Sequence, residues 1–365
     1  MSVTRRFLLT GAASAVLAAP FLARPLFANG AADKTAAPDP LRPLWDAWKS
    51  KHLTSDGRVV DIFQQSGSHS EGQGYAMCIA EALGDQDAFE RIHAWTEANL
   101  AVRPNDSLFA WRWLPQDGGV VQDLNNASDG DLFIAWSLVR ASNRFNRPDF
   151  LTRASEIAAD LKSICIRPCP DRSECLVLMP GETGFETETG VIQNPAYYMY
   201  KALHELSDAT EIPEFDQCAS DGLALVSRLS RTELVPDWCE ISPDGVGPAP
   251  MKSFDFGYEA LRVPLFLVWS GLPGHPAVKR AAAAYAPYLQ SGSKETPTVI
   301  QQDGTVSESS PDTGYRAVAA LDTCGAGHFA PRMMPAFDPN QAYYPATLHL
   351  FALIAQREAQ TACIK

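Results

Sequence analysis

Little in this sequence would serve a metal or a phosphate. Its 7 histidines are scattered, with no His-x3-His or His-Glu-x-x-His pair, so neither a metal nor another cofactor is expected. No Gly-x-Ser-x-Gly elbow and no glycine-rich phosphate loop occurs, which sets aside the common serine-nucleophile and nucleotide-binding designs. Positive charge is scarce too: 30 Lys and Arg against 43 Asp and Glu leave a net charge of −13. A nucleic-acid partner wants clustered cations and is not expected, whereas a neutral polymer meets no repulsion. Long apolar runs are missing. The stretch over residues 11–22 contains Pro20 and is followed by Arg24, falling well short of the roughly 20 apolar residues a membrane span needs. No Pro/Ser-rich linker divides the 365 residues, no fixed-period repeat points to a solenoid, and strand-like alternation is rare.

What is present begins with an address. Thr4-Arg5-Arg6-Phe7-Leu8-Leu9 precedes that modest apolar stretch, and no acid occurs before Asp33. Paired arginines ahead of a short apolar segment read as a twin-arginine export signal, cleaved after Ala28 or a few residues later. Residues 1–30 are therefore assigned to the signal, with a periplasmic or secreted destination, and residues 31–365 to a single domain. The 8 cysteines would then meet an oxidising compartment. There Cys165, Cys169 and Cys175, crowded in a charged, Pro-containing loop, predict a local disulfide in preference to a zinc site. Cys78 reads as a buried thiol on a helix; no spacing rule pairs Cys218, Cys239, Cys324 and Cys363.

Helical periodicity dominates the rest. It predicts helices over 41–53, 71–83, 86–100, 129–142, 148–163, 195–206, 214–230, 258–269, 275–289, 313–321 and 341–359, with a short strand over 173–179. Two of these helices open on the same grammar. In Ala127-Ser-Asp-Gly-Asp-Leu-Phe, Ser128 is a natural N-cap and Asp131 can reach back to its N–H, leaving Asp129 as the first helical residue. In Ser70-Glu71-Gly72-Gln73-Gly74-Tyr75, Ser70 and Gln73 form the cap pair and Glu71 opens the helix. Acids at such positions commonly do no more than complement the helix dipole. Gly72, Gly74 and Gly130, however, each cost up to about 1 kcal/mol of helix propensity, which implies that something approaches the backbone closely.

These segments resemble the inverting endoglucanases of glycoside hydrolase family 8. Residues 127–145 look like that family's signature, and the Ser70-Glu71-Gly72-Gln73-Gly74-Tyr75 run looks like the stretch carrying its proton donor. Gly257-Tyr258-Glu259-Ala260-Leu261-Arg262-Val263-Pro264 resembles the segment holding the general base, and Asn194-Pro195-Ala196-Tyr197-Tyr198 a block beside the cleft. The resemblance runs in order over roughly residues 40 to 355. It implies an all-α fold, an (α/α)6 barrel or toroid with long connecting loops and at most minor β structure. Alternate helices would form an inner ring and start at one end, so that their first turns share a rim.

The same resemblance implies the chemistry. Glu71 would be the general acid, Glu259 the general base, and Asp129 a partner that favours the protonated acid by its charge and grips the sugar at the scissile bond. Family cellulases usually carry Asp where this chain has Glu259, so Asp255, one turn earlier, stays open as an alternative base. Arg262 is expected to orient Glu259 or a sugar hydroxyl. Tyr75, Trp111, Asp131 and Tyr197 complete the expected substrate-binding set, the aromatics as surfaces for sugar rings, while Trp45, Trp136 and Trp269 fall at core spacing. Asp312, Asp322 and Asp338 read as solvated or capping acids. The implied substrate is the β-1,4-glucan cellulose, with mixed-linkage glucan, xylan or chitosan as neighbouring alternatives and a catalytically silent glucan-binding protein as another class. A monomer in functional association with a bacterial cellulose synthase complex is the expected setting.

Overall fold

The computed structural model describes residues 39–172, 174–327 and 334–359; the signal assignment, and Cys363, lie outside them. In chain order the helices are α1 (Arg42–His52), α2 (Ser70–Ala82), α3 (Gln86–Asn99), α4 (Ser128–Arg144), α5 (Pro148–Cys165), α6 (Tyr200–Thr210), α7 (Glu214–Leu229), α8 (Arg262–Trp269), α9 (Pro276–Gln290), α10 (Thr313–Gly325) and α11 (Tyr343–Glu358). Their burial divides them. Helices α2, α4 and α8 bury almost every residue and α10 and α11 most of theirs, as helices largely apolar all round do, while α6 buries Tyr200, Ala202, Leu203, Leu206 and Ser207. By contrast α3 buries Ala88, Phe89, Ile92, Trp95 and Thr96, a single stripe, and α1, α5, α7 and α9 likewise keep a solvated face. Packing runs from α2 to α4, α6, α8, α10 and α11, and α11 also touches α2; α3, α5, α7 and α9 lie against the members of that series. This is the alternating inner and outer arrangement expected of an (α/α)6 fold.

Among the described residues strand structure is confined to short antiparallel pieces: β1 (Ser68–His69), β2 (Arg112–Trp113), β3 (Ile166–Pro168), β4 (Leu176–Leu178), β5 (Val191–Gln193), β6 (Cys239–Ser242), β7 (Gly245–Gly247), β8 (Thr296–Ile300) and β9 (Val306–Ser310). They pair as β1–β2, β3–β4, β5–β6–β7 and β8–β9. A disulfide joins Cys169 to Cys175, while Cys78, Cys165, Cys218 and Cys239 are buried free thiols. Trp45, Trp136 and Trp269 are core residues. Asp322 is not a solvated acid: it is fully buried, neither oxygen finds a hydrogen bond, and burial raises its carboxyl far above the carboxylate range.

Neither capping box forms. Helix α2 is capped by His69, whose Nδ1 accepts the Gly72 N–H at 3.3 Å, and Ser70 Oγ has no partner. The Gln73 amide instead accepts from Val59 N–H at 2.7 Å and donates to Thr96 Oγ1 at 2.8 Å. Helix α4 takes in Ser128, whose N–H goes to the Pro180 carbonyl at 2.9 Å. The Asp131 carboxylate accepts from Phe109 N–H at 2.9 Å and Asn126 Nδ2 at 2.8 Å. The reason is common to both sites: incoming loops bring buried backbone donors that need acceptors, and the intended cap side chains serve them.

That corrects the expectation for Asp131, which is wholly buried and anchors a loop where substrate contact was expected. Burial pushes its carboxyl up to about 7, against the hydrogen bonds that favour the charge. Because the folded value lies above the unfolded 3.8, the group's stabilising contribution is complete below that pH and is lost as pH rises through about 7. The melting-temperature difference between wild type and Asp131→Asn should therefore shift against wild type across this window. A pH-independent difference would sink the assignment.

Candidate active site

The first step in building the site is a backbone contact. A Cβ placed on Gly130 would overlap Ser70 Oγ and lie 2.7 Å from Glu71 N; one on Gly74 would lie 3.1 Å from Ile134 N. What approaches these glycines so closely is therefore the other helix, and the contact sets Asp129 of α4 beside Glu71 of α2. Gly130→Ala would gain up to about 1 kcal/mol in helix propensity and lose about 1–3 kcal/mol to overlap, so a net drop in melting temperature is expected. Because the added methyl presses on Glu71 itself, kcat should fall with it, by roughly tenfold or more. Wild-type kcat in that variant would show that the contact does not set the geometry of Glu71.

Arg262 draws the acids together. Its guanidinium is 1% exposed; Nη1 donates to Glu71 Oε2 and to the Tyr75 hydroxyl, both at 2.5 Å, and Nη2 donates to Glu259 Oε2. Asp129 Oδ2 lies 3.6 Å from Nη1. Two carboxylates held by one planar fork cannot have those oxygens more than roughly 7 Å apart. Glu259 is also held by Asn194 Nδ2, at 2.9 Å from Oε2. The side chains of Glu71 and Glu259 keep 21% and 32% exposure while Asp129 keeps 2%. Two reachable carboxylates thus stand over a buried floor.

Asp129 differs from its neighbours. Oδ1 accepts the Gly130 N–H at 2.8 Å, but Oδ2 is buried without a hydrogen bond. Burial first, and then the charge of Glu71, raise its carboxyl well above the ordinary range, with Arg262 pulling the other way. A protonated Asp129 carries no charge with which to favour a protonated Glu71, the role expected of it, and keeps on buried Oδ2 a hydrogen-bonding capacity that no described residue uses.

Among the aromatic candidates, Tyr197 stays half-buried beside the acids, its ring centroid 6.0 Å from Arg262 Cζ. Burial and the charges of Asp129 and Glu259 drive its phenol well above its usual value. Trp111 is half-buried, donates from Nε1 to Asp123 at 2.9 Å, and accepts the Ser70 N–H on its carbonyl at 3.0 Å, so it adjoins the start of α2. Tyr75 departs from expectation. It is 0% exposed, packed edge-on against Phe133 and Phe351, so it supports Arg262 from beneath and offers sugar no surface. Asp255 gives its carbonyl to Asp237 N–H at 2.8 Å, and its carboxylate makes none of the contacts to Arg262 that join the other acids.

Three residues escaped the sequence reading. Asp237 accepts three N–H groups from the Gly257–Ala260 turn, and burial pushes its carboxyl up to about 6; nothing in Val235-Pro-Asp-Trp marks it. Tyr343 and Tyr344 open α11: the Tyr344 hydroxyl donates to the Tyr258 carbonyl at 2.6 Å, and the Tyr343 hydroxyl is buried without a partner, on the side of α2 where Gly72 lies. Pro345 in that first turn was the available sign of another helix start on the rim. Among the described residues no group of three His, Cys, Asp or Glu side chains is disposed to hold a metal ion, and no helix is long and apolar enough to cross a membrane.

Two reachable carboxylates from separate elements and a buried third acid thus meet around Arg262, with Tyr197 beside them. A sequence profile described as "Glycosyl hydrolases family 8" matches residues 19–358. A probable endoglucanase of Novacetimonas hansenii is 36% identical over 332 residues, 88% of this chain and 92% of that protein. The structure of the endo-beta-1,4-glucanase CMCax from Acetobacter xylinum superposes with a TM-score of 0.79 at 33% identity, covering 89% of this chain and 100% of that one. A family 8 endoglucanase from Klebsiella pneumoniae gives 0.75 at 29% identity, over 87% and 99%. The chain is a glycoside hydrolase and belongs to family 8 of the glycosyl hydrolases.

Proposed function

We propose that this protein is an endo-β-1,4-glucanase that hydrolyses internal bonds of cellulose-type glucan by single-step inversion. Glu71 protonates the leaving oxygen, Glu259 takes the proton of a water on the opposite face of the sugar, and Asp129 holds the ring at the scissile bond through a hydroxyl contact. Arg262 keeps the acid and the base in register. The observation that carries this reading is the meeting of all three acids on that one guanidinium. Tyr197 and Trp111 supply ring surfaces along the cleft. The enzyme works as a monomer, exported by its N-terminal signal to the periplasm or beyond, where it acts on glucan made by a cellulose synthase complex.

Reducing-end release from carboxymethylcellulose, with polarimetry on a defined cello-oligosaccharide, tests the reading. The first product should be the α-anomer. Binding without release would favour a silent glucan-binding protein, and a β-anomer would exclude inversion. A parallel panel of lichenan, xylan and chitosan separates the neighbouring activities. For the base, Glu259→Gln should lose kcat by about 10²-fold or more while Asp255→Asn keeps it; the reverse pattern would transfer the role to Asp255.

A further inference from the structure

Periodicity starts a helix at Tyr258, yet α8 begins at Arg262, and one buried side chain accounts for the delay. The N–H groups of Gly257, Glu259 and Ala260 all donate to Asp237 Oδ1, at 3.0, 3.0 and 2.8 Å. Three converging donors on one oxygen hold the backbone around Glu259 as a turn. Asp237 is 8% exposed, and a Cβ on Gly257 would overlap its Oδ2, so the turn is moulded on this carboxylate. Its frame is the strand pair β5–β6, in which Gln193 stands opposite Cys239. Asn194 follows Gln193 and grips Glu259 Oε2; Asp237 precedes Cys239 by two residues and grips the Glu259 backbone. One small sheet therefore holds the same glutamate at both of its ends.

We propose that Asp237 is a positioning residue for the hydrolysis: by accepting the three N–H bonds it fixes the turn that presents Glu259, and together with Asn194 it sets where this carboxylate meets the attacking water. Glutamate is longer and has more side-chain freedom than aspartate, so its carboxylate is located only if backbone and carboxylate are both held. The inference rests on Glu259 being the base.

The test compares kcat, KM and melting temperature on a soluble cello-oligosaccharide for wild type, Asp237→Ala, Asp237→Glu, Asp237→Asn and Glu259→Gln. Ala removes the acceptor and Glu displaces it, so each should lower kcat about 100-fold with KM changed less than about threefold. Asn keeps an amide oxygen for the three N–H groups and should stay within about fivefold of wild type. A merely structural role would lower the melting temperature of the Ala and Glu variants and leave kcat of the folded enzyme unchanged, which would overturn the proposal. So would an Asn variant as impaired as Ala. If Asp237→Ala does not fold, Asp237→Glu against Asp237→Asn carries the same comparison. Failure of the underlying reading shows separately: an active Glu259→Gln removes Glu259 as base, whereas an inactive Glu259→Gln beside a fully active Asp237→Glu removes only the positioning role.

Discussion

Arg262→Met should reduce kcat/KM by on the order of 10³-fold or more and destabilise the fold by about 3–5 kcal/mol, the range for removing one partner of a buried ion pair. The side chain is of similar length, so the loss is that of charge and of the planar fork. Without it, Glu71, Asp129 and Glu259 face one another with no cation in contact among the described residues, and the Tyr75 hydroxyl loses its one hydrogen bond. Without that cation the carboxylate that remains ionised takes up a proton more readily, and a protonated Glu259 cannot activate water. Arg262→Lys restores the charge but offers a single nitrogen where two are used, so it should recover stability further than activity. Measured by thermal melting beside steady-state kinetics, a Met variant with depressed melting temperature and wild-type turnover would reduce Arg262 to a structural ion pair.

Glu71→Gln should lower kcat on unactivated glucan by about 10²–10⁴-fold, the worth of a positioned general acid, with little change in glucan binding. Gln preserves the shape and can still accept from Arg262 Nη1, but it carries no proton to give. A dinitrophenyl oligosaccharide, whose leaving group departs without protonation, separates the role from a general loss of geometry. On that substrate the variant should retain most of its activity, and equal losses on both substrates would show that Glu71 is not the acid. Wild-type turnover of glucan would be still more damaging, since the whole reading of α2 as the acid-bearing helix would go with it.

The local grammar of the chain was a good guide to where helices lie and a poor guide to what their first residues touch. Periodicity over 86–100 and 148–163 found α3 and α5 nearly to the residue, because a one-sided apolar stripe is a property of neighbours in sequence. The stretch over 195–206 broke into a 3₁₀ turn at Pro195–Tyr197 followed by α6. Gln73 and Asp131 matched the cap pattern and were taken by Val59 and Phe109, donors that arrive from elsewhere in the chain. Tyr75 illustrates the same limit. Its place four residues after Glu71, on the same face of the helix, suggested the rim, but one turn of helix sets it deeper, under Arg262.

By itself, the order of residues determined the helical class, the acids at two helix starts and the glycines that let α2 and α4 touch, since each depends on spacings within a few residues. Only the tertiary structure decided that Glu71 would share Arg262, 191 residues away, with Glu259 and Asp129, and that Asp237 would govern the turn before α8. The physical reason is that a buried charge or N–H group must find its partner wherever packing delivers one, and delivery across the ring of helices leaves no mark in local spacing.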